Sequence, residues 1–313
     1  MFGKLSIFTG NANRELALSI CEHVGVPLGR ADVFEFSNEN IFVKINDTVR
    51  EQDVFVVQPF SHPVNRSIME LLILIDALKR ASAARITAVV PYYAYGRTDK
   101  KDQPRVPITA RLIADMLTVA GANRVLTMDL HAGQIQGFFN IPVDELSALA
   151  LLSRYFAEKR LEDLVVVAPD LGVAKRARNF AERLNAQLAV IEKRRSSNDS
   201  QSEILNVIGE VANRRAVIFD DEIDTAGSVI GASQVLRQMG VREVYVACTH
   251  PVLSGPAAQR LAESEILEVI VTDTIPLPPE KRWANITVLS VAPLFAEAIQ
   301  RIHGGGSVGA LFR

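Results

Sequence analysis

The most distinctive chemistry of this chain lies in one short segment, Asp220-Asp221-Glu222-Ile223-Asp224-Thr225-Ala226-Gly227-Ser228. Small and hydroxyl-bearing residues before a helical pattern are typical of phosphate-binding turns, because free backbone N–H groups and the positive end of the helix face the anion. Carboxylates beside such a turn would repel phosphate unless they bind ribose hydroxyls or hold Mg²⁺. The segment therefore predicts a site for a phosphorylated sugar, with an ordinary helix N-cap after a strand as the alternative.

Further polar side chains follow other predicted strands. Asp129 and His131 come after an apolar run at residues 124–128, and Asp170 comes after another at residues 164–168. Ligands of open parallel sheets bind beyond the carboxyl ends of the strands, so these side chains stand where a site is expected. For His131 a metal or phosphate role is as well supported as a structural one.

Two basic segments could act on such a ligand. Residues 92–105 combine tyrosines with arginines and lysines and lack periodicity, which favours a loop that stacks on a base and binds phosphates. Lys193 and Arg195 stand at the base of a polar segment that suits a mobile lid bringing cations onto a charged intermediate. The alternative for residues 92–105 is a solvated run of charges, and the alternative for the segment with Lys193 and Arg195 is an exposed hairpin without a chemical role.

Composition limits the possible classes of protein. The chain has 313 residues, of which 48% are hydrophobic and 22% charged, and this is enough to bury the cores of two domains. A net charge of −2 argues against the basic field that nucleic-acid binding usually needs, so an anion site must be local. Two distant cysteines, no run of membrane-spanning length and no leader pattern predict a cytoplasmic protein that binds neither nucleic acid nor membrane.

Strands and helices alternate along the chain, which predicts an α/β fold of mostly parallel sheets flanked by helices. The positions that match at a constant spacing of 119 residues are Leu117 with Leu236, Gly121 with Gly240, Val125 with Val244, and His131 with His250. Duplication of one α/β unit is the simplest explanation. The alternative is that the four matches only reflect the order of helix, glycine and strand that is common in α/β proteins. We expect an N-terminal domain at residues 1–145, a C-terminal domain at residues 146–303, and a tail at residues 304–313 that packs back on the core.

Motifs along the whole chain occur in the order and spacing of one enzyme family. They are Phe36-Ser37, Arg97-x-Asp99-Lys100, Arg105-x-Pro107-Ile108-Thr109-Ala110, Asp129-Leu130-His131-Ala132, Gln134-Ile135-Gln136-Gly137-Phe138-Phe139, Pro169-Asp170-x-Gly172, Lys193-x-Arg195 and Asp220-Asp221-x-x-Asp224-Thr225. The chain resembles the ribose-phosphate pyrophosphokinases, which transfer the diphosphoryl group of ATP to the C1 hydroxyl of ribose 5-phosphate and release AMP. The resemblance implies two similar phosphoribosyltransferase-like domains, the first on the nucleotide side and the second on the ribose 5-phosphate side.

The resemblance also implies a role for each motif. The positions at which the family contacts ATP are Phe36, Asn38, Asn40, Arg97, Thr98, Asp99 and Lys100, with Asn40 in place of a common Glu and Thr98 in place of a Gln. The residues that match its ribose 5-phosphate contacts are Asp220, Asp221, Asp224, Thr225, Ala226, Gly227 and Ser228. Mg²⁺ would bind at His131 and Asp170, and Lys193 with Arg195 match the catalytic lid. Family sites are shared between subunits, which implies a homo-oligomer of dimers assembling to a hexamer, with Phe36 against the adenine of a neighbouring subunit.

Several positions depart from the family pattern. Val173 stands where a second glycine usually follows Gly172, and its branched side chain is expected to restrict the backbone and the room for diphosphate. Glu145 and Gly309 replace residues that in many relatives help to bind regulatory phosphate or ADP, so we expect an altered regulatory site. The regulatory positions that match are Arg50, Ser82, Gln136, Asp144 and Ser307.

Two other functions stay open from the sequence. A catalytically weak regulatory paralogue would keep the fold, and Val173 favours it, whereas the presence of Lys193 and Arg195 argues against it. A phosphoribosyltransferase that consumes the product would be shorter and would lack the segments around Phe36 and His131. It would also need an acceptor hood, for which the sequence gives no pattern.

Replacing Lys193 or Arg195 by alanine is expected to lower kcat by roughly two or more decades while weakening ground-state substrate binding far less. The reason is that these cations would neutralise charge that develops in the transition state. Steady-state kinetics of each variant measures the two effects separately. Normal turnover in an alanine variant would contradict the assignment.

Overall fold

The computed structural model describes residues 3–195 and 202–312. This part of the chain forms two compact units. Unit 1 contains the residues up to Ser147, together with Thr274–Pro276 and the residues from Ser290 onward, and unit 2 contains Ala148–Asp273 and Leu277–Leu289. None of the described helices has both the length and the apolar character needed to cross a membrane.

Unit 1 contains one parallel sheet and one short antiparallel pair. The strands of the sheet are β1 (Leu5–Thr9), β4 (Asp53–Val57), β5 (Arg85–Val90), β6 (Arg124–Met128) and β7 (Val143–Leu146), and the strands of the pair are β2 (Ala31–Glu35) and β3 (Ile41–Ile45). The helices are α1 (Arg14–Val24), α2 (Val64–Arg80), α3 (Thr109–Ala120) and, near the chain end, α8 (Ala292–Gly304), with 3-10 turns at Gly133–Phe138 and Val308–Phe312. The sheet order is β1-β4-β5-β6-β7, with every neighbouring pair parallel.

Unit 2 contains a larger sheet. Its strands are β8 (Leu164–Ala168), β9 (Gln187–Arg195), β10 (Ser202–Ile208), β11 (Arg215–Ile223), β12 (Glu243–Pro251), β13 (Glu268–Thr272) and β14 (Ile286–Leu289). Its helices are α4 (Leu149–Lys159), α5 (Ala174–Arg183), α6 (Gly227–Gln238) and α7 (Ala257–Ala262), with a 3-10 turn at Pro279–Lys281. The sheet order is β10-β9-β8-β11-β12-β13-β14, and β9 with β10 is the antiparallel pair.

Local sequence explains why these elements form. The apolar runs at residues 54–57 and 165–168 are fully buried, as parallel strands covered by helices on both faces require. At the start of α1 the Asn13 side chain accepts a hydrogen bond from the Leu16 N–H, and Gly25 ends the helix in the left-handed conformation with φ 81°. The α/β class of mostly parallel sheets flanked by helices is confirmed.

The spacing of 119 residues is visible in the elements themselves. The strands β6 and β12 begin at Arg124 and Glu243, and each follows a helix, α3 or α6, that ends in a tight turn. The connections into these two helices differ, since residues 91–108 lead into α3 and residues 224–226 lead into α6. The matched histidines differ as well, because His131 is exposed beyond β6 whereas His250 is buried within β12.

The last helix belongs to a different unit from the one predicted. We expected residues 146–303 to form the C-terminal domain, but α8 groups with unit 1. The reason is that α8 packs against α1 and buries Phe295, Ile299 and Ile302 on its inner face. After α8 the chain stays on unit 1, where Val308 is buried and the terminal 3-10 turn contacts β7.

A buried cluster of charged side chains joins α8 to the sheet of unit 1. Asp53, at the start of β4, is fully buried and accepts two hydrogen bonds from Arg85 of β5, at 2.8 and 2.6 Å. Arg85 also donates to the Ile302 carbonyl at 3.0 Å, and His303 Nδ1 lies 2.8 Å from Asp53 Oδ2. A carboxylate removed from water needs such partners, because an unpaired buried charge is costly.

Replacing Asp53 by alanine is expected to lower the free energy of unfolding by about 3–5 kcal/mol, because Arg85 then lacks its carboxylate in a mostly buried position. The matched control is Asp76→Ala, which breaks an exposed ion pair with Arg80 on α2 and is expected to leave the denaturation midpoint nearly unchanged. Urea denaturation followed by circular dichroism measures both variants. Equal destabilisation by the two substitutions would contradict the role of the cluster.

Candidate functional site

Asp220 and Asp221 lie at the carboxyl end of β11. They are part of this strand, whereas the sequence predicts them directly after a strand. Pairing of β11 with β8 ends at Ile218, while pairing with β12 on the other side continues to Ile223. Asp220 and Asp221 are therefore on a strand that extends past its neighbour. This is the edge of a parallel sheet at which ligands bind.

The carboxylates at this edge influence one another. The Asp221 N–H donates to Asp220 Oδ1 at 2.9 Å, and Asp221 Oδ2 lies 3.4 Å from a guanidinium nitrogen of Arg176 on α5. Burial raises the pKa of Asp220 well above its ordinary value, and the nearby charges of Asp221 and Asp170 raise it further. The edge is thus a cluster of carboxylates that a cation or hydroxyl donors would stabilise.

The predicted phosphate-binding turn leads directly from β11 into α6. Ala226, the N-cap residue, has no side chain that could cap the helix and adopts the left-handed conformation with φ 64°. Thr225, Gly227 and Ser228 around it are exposed. The first-turn N–H groups of a helix have no intrahelical acceptor, so this end of α6 presents donors and partial positive charge to an anion.

Asp170 follows β8 and is oriented by the backbone. Its Oδ1 accepts from the N–H groups of Gly172 and Val173, at 2.8 and 3.3 Å. Val173 adopts a φ of −90° and a ψ of −10°, helical values that valine adopts without strain, so the backbone at this position is not strained. The Val173 side chain is 7% exposed and packs within the core of the protein, so it does not stand in the open at this turn. The expected loss of room for diphosphate stays a prediction.

In unit 1 the structure brings the loop at residues 91–108 against His131. A Cβ placed on Gly96 would lie 3.1 Å from the His131 Cβ, so the loop backbone passes directly beside the histidine. Arg97 and Lys100 are exposed, whereas Asp99 is buried. Exposed cations next to an exposed imidazole fit a polyanionic ligand.

The side chains around Asp99 show how this loop is held. Asp99 accepts from Lys100 Nζ at 3.2 Å and from the Gln134 side-chain amide. Thr98 folds back on the loop, since its Oγ1 donates to the Tyr95 carbonyl at 2.7 Å. Within unit 1, Asp99 and Thr98 therefore hold the loop in place, while the side chains of Arg97 and Lys100 are exposed to solvent.

The predicted nucleotide loop between β2 and β3 is exposed. Phe36 is 49% exposed and therefore does not pack in the core of unit 1. The loop closes on itself, because the Phe36 N–H donates to the Asn40 carbonyl at 2.9 Å and the Asn40 N–H donates to Asn38 Oδ1 at 3.2 Å. An exposed ring on a closed loop suits stacking on a planar base.

The proposed regulatory residues all lie in unit 1. The Glu51 N–H, next to the exposed Arg50, donates to the Ser82 carbonyl at 2.9 Å. Asp144 on β7 is paired with Arg124 of β6. The Gln136 side-chain amide donates to Glu145. The Ser307 carbonyl accepts from Arg301 at 3.1 Å.

Lys193 and Arg195 lie on β9, and the structure describes their backbone while their side chains lie outside its described part. Their predicted role stays a prediction. Sequence reasoning missed Arg176, the partner of Asp221, and it named Gln134, the partner of Asp99, only within a motif and without a role. No local pattern shows these pairings, because each partner lies on another element and is met only in the folded chain.

The residues present fit Mg²⁺ in part. Within residues 3–195 and 202–312 no group of three or more His, Cys, Asp or Glu side chains is arranged to hold a metal ion. Mg²⁺ is usually held by one or two carboxylates and completes its shell with water and substrate phosphates, so Asp170 beside Asp220 is a suitable donor set. His131 is a less usual ligand for this ion, because imidazole suits transition metals better.

Family models match most of the chain. A model described as the N-terminal domain of ribose phosphate pyrophosphokinase matches residues 5–121. A second model, described as the phosphoribosyl synthetase-associated domain, matches residues 198–313. The first match covers β1 to α3 of unit 1, and the second includes β11 and the turn into α6.

Relatives match the chain over nearly its full length. A protein named ribose-phosphate pyrophosphokinase from Caldanaerobacter subterraneus subsp. tengcongensis is 56% identical, with 98% of both chains covered. One of the same name from Fusobacterium nucleatum subsp. nucleatum is 50% identical, with 99% of both covered. The crystal structure of phosphoribosylpyrophosphate synthetase from Mycobacterium smegmatis superposes with a TM-score of 0.93 at 45% identity, covering 97% of this chain and 100% of that one.

Two parallel-sheet units, with a phosphate-binding turn beside carboxylates in the second, define an α/β protein with phosphoribosyltransferase-like domains. Within that class, the chain belongs to the ribose-phosphate pyrophosphokinase family. The family resemblance of the sequence motifs is thus confirmed.

Replacing Asp220 by asparagine is expected to stabilise the protein at about pH 8, with a gain that shrinks toward about pH 4. An aspartate has an unfolded-state pKa of about 3.9. Because the folded-state pKa of Asp220 is higher, the folded protein binds this proton more tightly, so the free energy of unfolding falls as pH rises through the folded pKa. Asparagine cannot ionise and avoids that loss. Urea denaturation midpoints across this pH range measure the effect, and a variant less stable than the parent at about pH 8 would contradict it.

Proposed function

We propose that this chain transfers the diphosphoryl group of ATP to the C1 hydroxyl of ribose 5-phosphate, giving 5-phosphoribosyl 1-diphosphate and AMP for nucleotide biosynthesis. The observation that carries the proposal is the acidic end of β11 directly before the uncapped N-terminus of α6. It occurs in a chain that aligns over 98% of its length with a relative named for this activity.

Unit 2 supplies the ribose 5-phosphate side. The 5-phosphate would bind at the start of α6, where backbone N–H groups and the hydroxyls of Thr225 and Ser228 face outward. Asp220, Asp221 and Asp224 would accept hydrogen bonds from the ribose hydroxyls. This placement pairs each carboxylate with a donor and keeps the phosphate at the positive helix end.

Unit 1 supplies the nucleotide side. Arg97 and Lys100 are exposed cations that would bind the phosphates of ATP, with His131 beside their loop. Phe36 would stack on the adenine of a neighbouring subunit, and Asn38 and Asn40 in the same loop would contact the base or ribose. Thr98 and Asp99, which bond within unit 1, would hold this loop in its binding conformation.

The reaction needs positioning and charge neutralisation rather than a covalent nucleophile. The sugar hydroxyl attacks the β-phosphorus in line and AMP leaves. Lys193 and Arg195 would donate hydrogen bonds to oxygens that gain charge in the transition state. Asp170, whose orientation two backbone N–H groups fix, would hold Mg²⁺ on unit 2, and His131 is the metal position that the family resemblance implies on unit 1. When bound, this ion would neutralise charge on the diphosphoryl oxygens.

The wider setting of the enzyme follows from the same proposal. Phe36 with Phe34 and Phe42 forms a cluster of exposed rings that suits burial in a homo-oligomer of dimers assembling to a hexamer. We place the enzyme in the cytoplasm, with ATP and ribose 5-phosphate as its partners and neither nucleic acid nor membrane. The alternative is a catalytically weak regulatory paralogue, and the relatives named ribose-phosphate pyrophosphokinase favour the enzyme over it.

AMP formation from ATP, Mg²⁺ and ribose 5-phosphate is expected to depend strictly on the sugar and to be lost in Lys193→Ala. A coupled assay for AMP measures this directly. The matched control is Lys4→Ala, which removes an exposed lysine outside both basic segments, and which is expected to retain activity. Absence of AMP with the parent protein in every condition would contradict the proposed reaction.

The same assay tests the altered regulatory site. Parallel runs with and without inorganic phosphate are expected to give full activity in both, because Glu145 and Gly309 replace residues of the usual regulatory site. Strict phosphate dependence, together with potent ADP inhibition from a separate site, would contradict this expectation. In that case Arg50, Ser82, Gln136, Asp144 and Ser307 would be the positions to replace first.

A further inference from the structure

The hairpin formed by β2 and β3 carries Phe36, and its two faces have different surroundings. On the inner face, alternate residues are half-buried against α2. On the outer face, Phe36 contacts Phe34 and Phe42, with ring centroids 5.1 and 5.8 Å apart. The position of the Phe36 ring therefore depends on how the inner face is attached to α2.

A buried carboxylate on α2 gathers the polar contacts beneath this hairpin. Glu70 is 2% exposed and accepts from the Asn11 backbone N–H at 3.0 Å, from the Asn11 side-chain amide at 2.9 Å and from the Gln58 side-chain amide at 2.9 Å. Gln58 is itself fully buried. A buried carboxylate with several donors is held in one orientation, because each lost hydrogen bond leaves buried charge unsatisfied.

Two contacts extend from this carboxylate to β2. The Asn11 side-chain amide also donates to the Val33 carbonyl at 3.2 Å. Arg66 Nε lies 3.5 Å from Glu70 Oε1 and 3.0 Å from Glu35 Oε2. Glu35 is the last residue of β2 and directly precedes Phe36. One contact thus fixes the strand backbone and the other fixes its end, next to the exposed ring.

We infer that Glu70, acting through Arg66 and Asn11, is a positioning residue for ATP, because it fixes the angle at which the hairpin presents Phe36. The inference rests on the proposed function, in which Phe36 stacks on adenine. Glu70 is buried and acts on the nucleotide through the hairpin. Replacing Glu70 is therefore expected to weaken the binding of ATP and to leave the binding of ribose 5-phosphate in unit 2 unchanged.

Glu70→Gln tests the inference, because the variant keeps the side-chain shape but turns an amide group toward the amides of Asn11 and Gln58. The KM for ATP is expected to rise by at least about fivefold, with the KM for ribose 5-phosphate and the kcat at saturation within about twofold of the parent. The matched control is Asp76→Asn, which changes an exposed carboxylate on the same helix. It is expected to leave all three parameters unchanged.

A second variant, Arg66→Met, tests the inference with less risk to the fold, because the buried Glu70 keeps its hydrogen bonds from Asn11 and Gln58. Arg66→Met is expected to raise the KM for ATP by a smaller factor than Glu70→Gln and to leave the KM for ribose 5-phosphate and the kcat unchanged. Thermal denaturation of each variant is recorded alongside. A rise of both KM values with a fall of kcat would indicate general damage to the fold and would overturn the assignment of a positioning role.

A double-mutant cycle with Phe36→Ala separates this inference from the proposed function. If Glu70 acts through Phe36, adding Glu70→Gln to Phe36→Ala is expected to raise the KM for ATP little further, and additive effects would overturn the inference. A normal KM for ATP in Phe36→Ala would overturn the proposed role of Phe36 and the inference with it. A raised KM in Phe36→Ala with normal values in the Glu70 and Arg66 variants would overturn the inference alone.

Discussion

One electrostatic constraint governs the site of unit 2: carboxylates and a phosphate-binding turn share the same edge of one sheet. Asp220 lies close to the charges of Asp221 and Asp170, and burial raises its pKa, so the site without ligand reduces the stability of the protein at neutral pH. In the proposed function a sugar phosphate with its cation would relieve this, because hydroxyls and metal would satisfy the carboxylates while the helix end would bind the phosphate.

The two units illustrate how one repeated element acquires two uses. A helix and the strand that follows it recur as α3 with β6 and as α6 with β12, and the two strands begin 119 residues apart. The connection before α6 is short and holds the phosphate-binding turn, whereas the connection before α3 spans residues 91–108 and carries exposed cations. Because the sheet edge is the same in both, the difference in ligand lies in the loops that the edge supports.

Residues of the candidate sites are held by partners on other elements of the same unit. Asp221 is paired with Arg176, Asp99 with Gln134, and the hairpin that carries Phe36 is attached through the buried Glu70. Such partners matter because an exposed side chain loses rotamer freedom when it binds, and a support fixed beforehand reduces that cost. A buried polar network also has few alternative arrangements, since each alternative would leave a donor or acceptor unsatisfied.

The sequence by itself determined the α/β class, the turn between β11 and α6 and the family, because apolar runs, helix periodicity and short motifs are local properties of the chain. Tertiary structure alone decided that α8 joins unit 1, where His303 meets Asp53 although they are 250 positions apart. It also decided that Val173 needs no glycine backbone and that Glu70 lies beneath the hairpin of Phe36. These outcomes depend on which distant surfaces pack together. Local sequence patterns do not predict that packing, because burial and pairing energies arise only when the elements contact one another.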